Sequence, residues 1–190
     1  MTNPSDWYTA ADVPEAAFHG TARGLGVTGQ GEPGGAVFTE RLKALYAVAG
    51  TLIGMAGGLP MPVLEGRWWV QDLRPHQEVP RDEWYWHLFL KLPGTVEPAL
   101  ADQAREAARG SAAGVEQVQL VTFTEGRCVQ MTHHGSFADE HRSLTRMAAF
   151  MAEHGLVPSG LHHEIYLTGL GDGDPEGLRT ILRQPVRPAR

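Results

Sequence analysis

Apolar positions along the chain recur at two periods, every second residue or every third to fourth, and so predict strands and helices in turn. The first dozen or so residues read as a loose arm carrying Trp7 and Tyr8. Val13–Thr21 then reads as a weak strand, and GLGVTGQGEPGG (Gly24–Gly35) as a glycine- and proline-rich loop. Phe38, Leu42, Leu45, Tyr46, Ala49, Leu52 and Ile53 follow helical spacing and predict a helix of about twenty residues, ended by Gly57-Gly58 and Pro60. VLEGRWWV (Val63–Val70) alternates, with Leu64, Trp68 and Val70 on one face and Glu65, Arg67 and Trp69 on the other. EWYWHLFLKL (Glu83–Leu92) sets Trp84, Trp86, Leu88 and Leu90 against Tyr85, His87 and Phe89, as in a strand buried on both sides. The polar run DLRPHQEVPRD between these strands is too long for a tight hairpin and predicts an excursion.

Beyond Pro93-Gly94, the Ala-rich stretch Val96–Arg109 predicts a helix connecting two halves. VQLVTFTEG (Val118–Gly126) and RCVQMTH (Arg127–His133) read as two strands joined near Glu125-Gly126. Ser136-Phe137-Ala138-Asp139 has capping-box spacing and starts a helix whose buried stripe is Leu144, Met147, Ala148 and Met151, with Gly155 just past its end. HHEIYLTG (His162–Gly169) and LRTILRQPV (Leu178–Val186) are the last strands. Each half therefore reads strand, helix, strand, strand. The pattern predicts a single α+β domain over 1–190, with halves at about 13–92 and 117–186 and a connector at about 95–110. Two such βαββ halves can pair about a pseudo-twofold axis and leave a central ligand groove.

Composition narrows the partners. With net charge -6 and 16 basic residues, 14 of them arginine but none in a block, direct nucleic-acid binding and a membrane-surface role are disfavoured. The polar N-terminus has no signal-peptide pattern, and the longest apolar stretch, around Ala44–Ala56, is too short to span a bilayer. A cytoplasmic protein, monomer or homodimer, with a hydrophobic small-molecule ligand is the resulting expectation. The single Cys128 excludes an internal disulfide. His133-His134 and His162-His163 are strand neighbours pointing to opposite faces, so no metal and no cofactor is expected. Gly24-Leu25-Gly26-Val27-Thr28-Gly29 spells a dinucleotide fingerprint, but Gln30–Gly35 follows where a helix would have to begin, so it is rejected. No G-x-S-x-G elbow occurs and Cys128 has no adjacent base, which leaves covalent catalysis unsupported.

The runs PVLEGRWWVQD, EWYWHLFLKLPGTV, GRCVQMTHHGSFADE, HHEIYLTG and LRTILRQPV, taken in this order from about Asp6 to Val186, resemble GyrI-like small-molecule-binding proteins. The resemblance implies a duplicated βαββ fold whose cleft holds bulky, often planar or cationic compounds. Relatives include effector-binding domains of transcription regulators, the DNA gyrase inhibitor protein and stand-alone proteins. The GRWW and HHEIYL runs look most like the stand-alone cyclopropanoid cyclopropyl hydrolases, which open the three-membered ring of DNA-alkylating natural products. Gly135-Ser136-Phe137 departs from a frequent Gly-Pro-Tyr and removes a hydroxyl, and GLGDGDPE replaces a more basic run. No helix-turn-helix segment precedes the domain, so a transcription regulator is not expected.

Strand alternation sets His162, Glu164 and Tyr166 on one face and His163, Ile165 and Leu167 on the other. Ile165 and Leu167 suit the helix-covered core, so Glu164 and Tyr166 are expected to face the groove. A carboxylate among aromatic rings can balance a cation or take a proton from water. An exposed Glu164, or one paired with Arg67 or Arg183, is the plainer alternative. With the resemblance, Glu164 and Tyr166 become the catalytic candidates, and Trp69, Trp86, Tyr85, Phe137, His133 and His162 the ligand-binding ones. The implied activity is cofactor-independent hydrolysis of a genotoxic, strained compound for detoxification or self-resistance. Non-catalytic drug sequestration and gyrase-inhibitor-like interaction stand as alternatives.

Overall fold

The computed structural model describes residues 7–71, 78–170 and 174–189. Its strands are β1 (Glu15–Gln30), β2 (Leu64–Trp69), β3 (Tyr85–Lys91), β4 (Gln119–His134), β5 (Leu156–Pro158), β6 (His162–Tyr166) and β7 (Arg179–Pro188). The helices are α1 (Ala36–Met55), α2 (Pro98–Ala107) and α3 (Glu140–Glu153). Antiparallel strands with helices between them make the protein α+β, as the periodicity predicts. Residues 72–77 of the expected excursion lie outside the described residues, and so do 171–173 of the GLGDGDPE run.

By its contacts the chain divides into one unit of Ala22–Thr122 and another of Met1–Thr21 with Phe123–Arg190. This division gives α2 to the first of these, where it packs on α1. In the Ala22–Thr122 unit β3 is central, antiparallel to both β1 and β2. Leu25, Val27, Leu88, Leu90 and Trp86 form the core with Phe38, Leu45, Val48 and Leu52 of α1, all buried. Neither end of α1 has a complementary charge, and its cap Gly35 offers no side chain. Burial of that apolar face, roughly 1.5–3 kcal/mol per large side chain, is what holds the helix.

Of the run Gly24–Gly35 expected as a loop, the part up to Gln30 belongs to β1, and only residues 31–35 form the turn, at Gly31 (φ 126°) and Gly34 (φ 79°). Close packing explains it. A Cβ at Gly24 would strike the Leu90 carbonyl, one at Gly26 the His87 ring, and one at Gly29 the Trp86 indole. These glycines admit β3 rather than break β1. The false fingerprint therefore lies inside a strand, with α1 starting only at Ala36.

In the other unit β7 is central, antiparallel to β4, β6 and the short β5, which the sequence reading missed. The order β4, β7, β6 repeats the order β1, β3, β2, with a helix joining the outer strands each time. The two predicted strands of 118–133 are one strand, β4, which absorbs Gly126 at φ 71° without ending. Ser136 does cap, but its hydroxyl accepts from the Ala138 amide at 3.2 Å and builds a short 3-10 turn. α3 follows that turn. Met147 packs with Val129, Met131, Leu156, Leu182 and Val186, flanked by Leu144, Phe150 and Met151.

The arm predicted as loose is anchored from Trp7 onward. Trp7 is buried, its carbonyl accepts from Arg183 at 2.7 Å, and the Arg183 guanidinium lies 4.8 Å from its ring. Gln130 ties the arm further, donating to the Thr9 carbonyl at 3.1 Å and accepting from Arg183 Nε at 3.0 Å and His19 Nε2 at 2.9 Å. Burial and the positive Arg183 hold the His19 pKa below its ordinary value. His163 and Glu125, both buried, close this polar layer at 2.8 Å.

Candidate functional site

β6 alternates as its sequence predicts, but its faces are exchanged. Glu164 pairs with Leu182 on β7, and Leu182 pairs with Met131 on β4. Laterally paired residues project from one face, and Leu182 and Met131 pack on Met147 of α3. Glu164 and Tyr166 therefore stand on the α3 side of these strands. The opposite side is also closed, by Trp7, Arg183 and His163, so an apolar Ile165 fits there and the inference from Ile165 fails.

On the α3 side three strand residues meet. The Tyr166 hydroxyl donates to Glu164 Oε2 at 2.7 Å, and His162 Nε2 lies 3.5 Å from Oε1, a contact longer than a hydrogen bond. The Glu164 side chain is 14 % exposed, too little for a free surface carboxylate. Phe137, exposed at the turn before α3, stands edge-on to Tyr166 with centroids 5.8 Å apart.

The sequence reading missed a fourth member, Glu140, the first residue of α3. Burial, and next the negative charge of Glu164, push its pKa up to about 9. Its Oε1 is buried and has no hydrogen-bond partner among the described residues, and the same holds for His162 Nε2. A signal was present. Position 140 lies one turn before Leu144 and two turns before Met147, on the apolar stripe of that helix.

The other candidates separate. His133 shares this face, but its two ring nitrogens serve structure: Nε2 donates to the Ser136 carbonyl at 3.0 Å, and Nδ1 pairs with the Ser143 hydroxyl at 3.0 Å. Trp69, Tyr85 and Trp86 belong to the other unit. Trp69 and Tyr85 are cross-strand partners stacked at 5.6 Å, on the β2–β3 face away from α1. Trp86 is wholly buried, edge-on to Phe38 at 5.2 Å, with its indole donating to the Gly31 carbonyl at 3.1 Å. The structure makes it a core residue. An open depression of about 470 Å³ beside α1, bordered by Gly34, Thr39, Lys43 and Ser111, also lies in that unit and holds no comparable carboxyl pair. Among the described residues no three His, Cys, Asp or Glu side chains are placed to hold a metal, and no helix is long and apolar enough to cross a membrane.

Residues 96–187, which include every member of the Glu164 cluster, match the GyrI-like small molecule binding domain. A conserved protein of Listeria innocua whose crystal structure is known is 33 % identical, over 97 % of both chains, with a TM-score of 0.87. The chain belongs to the GyrI-like small-molecule-binding family. A Listeria innocua hydrolase is 33 % identical to this GyrI-like chain over 96 % of each, with a TM-score of 0.82. The C-terminal domain of EcmrR, 9 % identical over 93 % of this chain and 98 % of its own, shares the fold with a TM-score of 0.61. Among curated proteins none matches. For a GyrI-like domain the cluster has a definite chemical capacity. A carboxyl that holds its proton up to about pH 9, set beside a second carboxyl, can serve as an acid.

Proposed function

We propose that this GyrI-like protein binds a bulky, flat, hydrophobic compound and adds water to a strained carbon of it, opening a cyclopropane fused to a dienone ring. The observation that carries the reading is Glu164, a largely buried carboxylate fixed by the Tyr166 hydroxyl at 2.7 Å. The likeness to a Listeria hydrolase over nearly the whole chain supports hydrolysis as the reaction class.

Glu164 takes one proton from water as the water oxygen bonds to the cyclopropane methylene carbon. The carbon–carbon bond of the small ring breaks, and its electron pair aromatises the dienone, whose oxygen becomes a phenolate. Strain release and aromatisation drive the step, so orientation and one base suffice. Tyr166 spends its hydroxyl on Glu164 and so positions the base, while Phe137 and the Tyr166 ring supply apolar contact. The Ala22–Thr122 unit carries an aromatic surface of its own, the stacked Trp69 and Tyr85. Such chemistry would detoxify an alkylating compound.

Incubation with a cyclopropane-fused dienone of the duocarmycin type, followed by mass spectrometry, tests this. The expected result is a product heavier by one water, with turnover reduced about 100- to 10,000-fold in Glu164→Gln while binding persists. Ligand recovered intact from a stable complex would instead identify a sequestering protein.

A further inference from the structure

We propose that Glu140 is the proton donor of this site, its carboxyl hydrogen-bonding to, and then protonating, the ligand oxygen on which negative charge develops. The inference rests on the hydrolytic reading above and adds to it a second catalytic residue and a ligand requirement, an acceptor oxygen.

Position is the first argument. Glu140 opens α3 one turn before Ser143 and two before Met147, the buried residues of that helix, so it continues the stripe that faces the strands. It is near enough to Glu164 for that residue's charge to act on it. The second argument is an unmet bond. Glu140 Oε1 is buried without a hydrogen-bond partner among the described residues, although buried polar atoms are nearly always paired. A ligand oxygen would satisfy the carboxyl there.

The groups facing Glu140 leave it few ways to share a proton. From β4, His133 is engaged at both nitrogens by Ser136 and Ser143. On its own segment Asp139 pairs with Arg142 at 3.2 Å, and His141 Nδ1 meets the Ala138 carbonyl at 3.1 Å. From β6 come Glu164, His162 and the Tyr166 hydroxyl, the last already given to Glu164. The start of a helix favours an anion, yet burial and the Glu164 charge outweigh that and raise the Glu140 pKa to about 9. At neutral pH Glu140 therefore holds the proton, and it does so beside Glu164, the base of the proposed reaction.

The step balances. Water loses a proton to Glu164 and its oxygen bonds to carbon; the cyclopropane bond breaks; the new phenolate oxygen takes the Glu140 proton. Glu164 then carries the extra proton and Glu140 lacks one, and transfer between them restores the site. One water is consumed and a phenol is formed.

Two measurements on the full chain test the proposal. The first is the pH profile of cyclopropane opening. Wild-type kcat should fall as pH rises through about 9, whereas Glu140→Gln should lower kcat about 100-fold or more and lose that alkaline fall. A Glu140→Gln enzyme with wild-type kcat and profile overturns the donor role. The second needs no turnover: the infrared carbonyl stretch of bound gem-dimethyl cyclohexadienone, a dienone without the cyclopropane. It should move to lower frequency in the wild type at neutral pH and return in Glu140→Leu. An unshifted carbonyl in the wild type overturns the donor role even if hydrolysis is seen. A shifted carbonyl in a protein that hydrolyses nothing overturns the hydrolytic reading and upholds Glu140 as donor.

Discussion

Glu140→Gln should change how stability depends on pH, and the size of the change follows from one proton. In the folded chain the Glu140 carboxyl ionises at about 9 against an ordinary 4.5. Between those values the native state holds a proton that the unfolded state has released. Stability from this group is therefore complete below about pH 4.5 and is lost as pH rises toward 9. A single proton sets a limiting slope of about 1.4 kcal/mol per pH unit, so two units near neutrality amount to roughly 3 kcal/mol. Glutamine has similar shape and cannot ionise, so wild type minus variant cancels the titration of every group that does not interact with Glu140. Urea unfolding of both proteins at pH 5, 6, 7 and 8 gives that difference directly. It should shrink steadily with rising pH at close to the one-proton slope. Parallel curves would refute the reasoning, because they would mean that Glu140 ionises alike in folded and unfolded chains.

Tyr166→Phe removes the 2.7 Å hydrogen bond to Glu164. A bond to a charged acceptor is worth about 1.5–3 kcal/mol, so kcat should fall roughly 10- to 100-fold with KM nearly unchanged, as steady-state kinetics would show. Gly24→Ala places a methyl against the Leu90 carbonyl and should cost about 1–3 kcal/mol of stability, whereas Gly20→Ala, with nothing within 4 Å, should cost far less; thermal melts of the pair check it. The Cys128 thiol is buried and its pKa is pushed up to about 12, first by burial and then by Glu125. It should resist iodoacetamide at pH 8 in the folded protein and react once urea is added; labelling at the same rate in both states would contradict that burial.

Element identity was legible wherever a long period repeated. α1 falls where its apolar spacing put it, and β3 is buried along Trp86–Leu90, as a run apolar on both faces requires. Glycine misled the reading. In Gly24–Gly29 it serves close packing, a reason that sequence cannot separate from chain reversal because both favour the same residue. Trp7 misled it too, since a terminal arm shows no period, and its anchors, Gln130 and Arg183, lie far along the chain. At the site, alternation correctly grouped His162, Glu164 and Tyr166, because a strand fixes relative facing. Which face met α3 was beyond alternation, since both faces of β6 are covered and an apolar residue suits either one. Glu140 went unseen because a lone acid at a helix start shows nothing by itself, and only the tertiary fold sets it beside Glu164.

The central claim is that water, activated by Glu164, ends up bonded to the ligand. Single turnover of a cyclopropane-fused dienone in heavy-oxygen water reads this directly by mass spectrometry. One heavy oxygen in a phenolic product from the wild type, and almost none from Glu164→Gln at equal occupancy, is the predicted result. Equal label in both, or a ring opened by a protein side chain with no label at all, would contradict it.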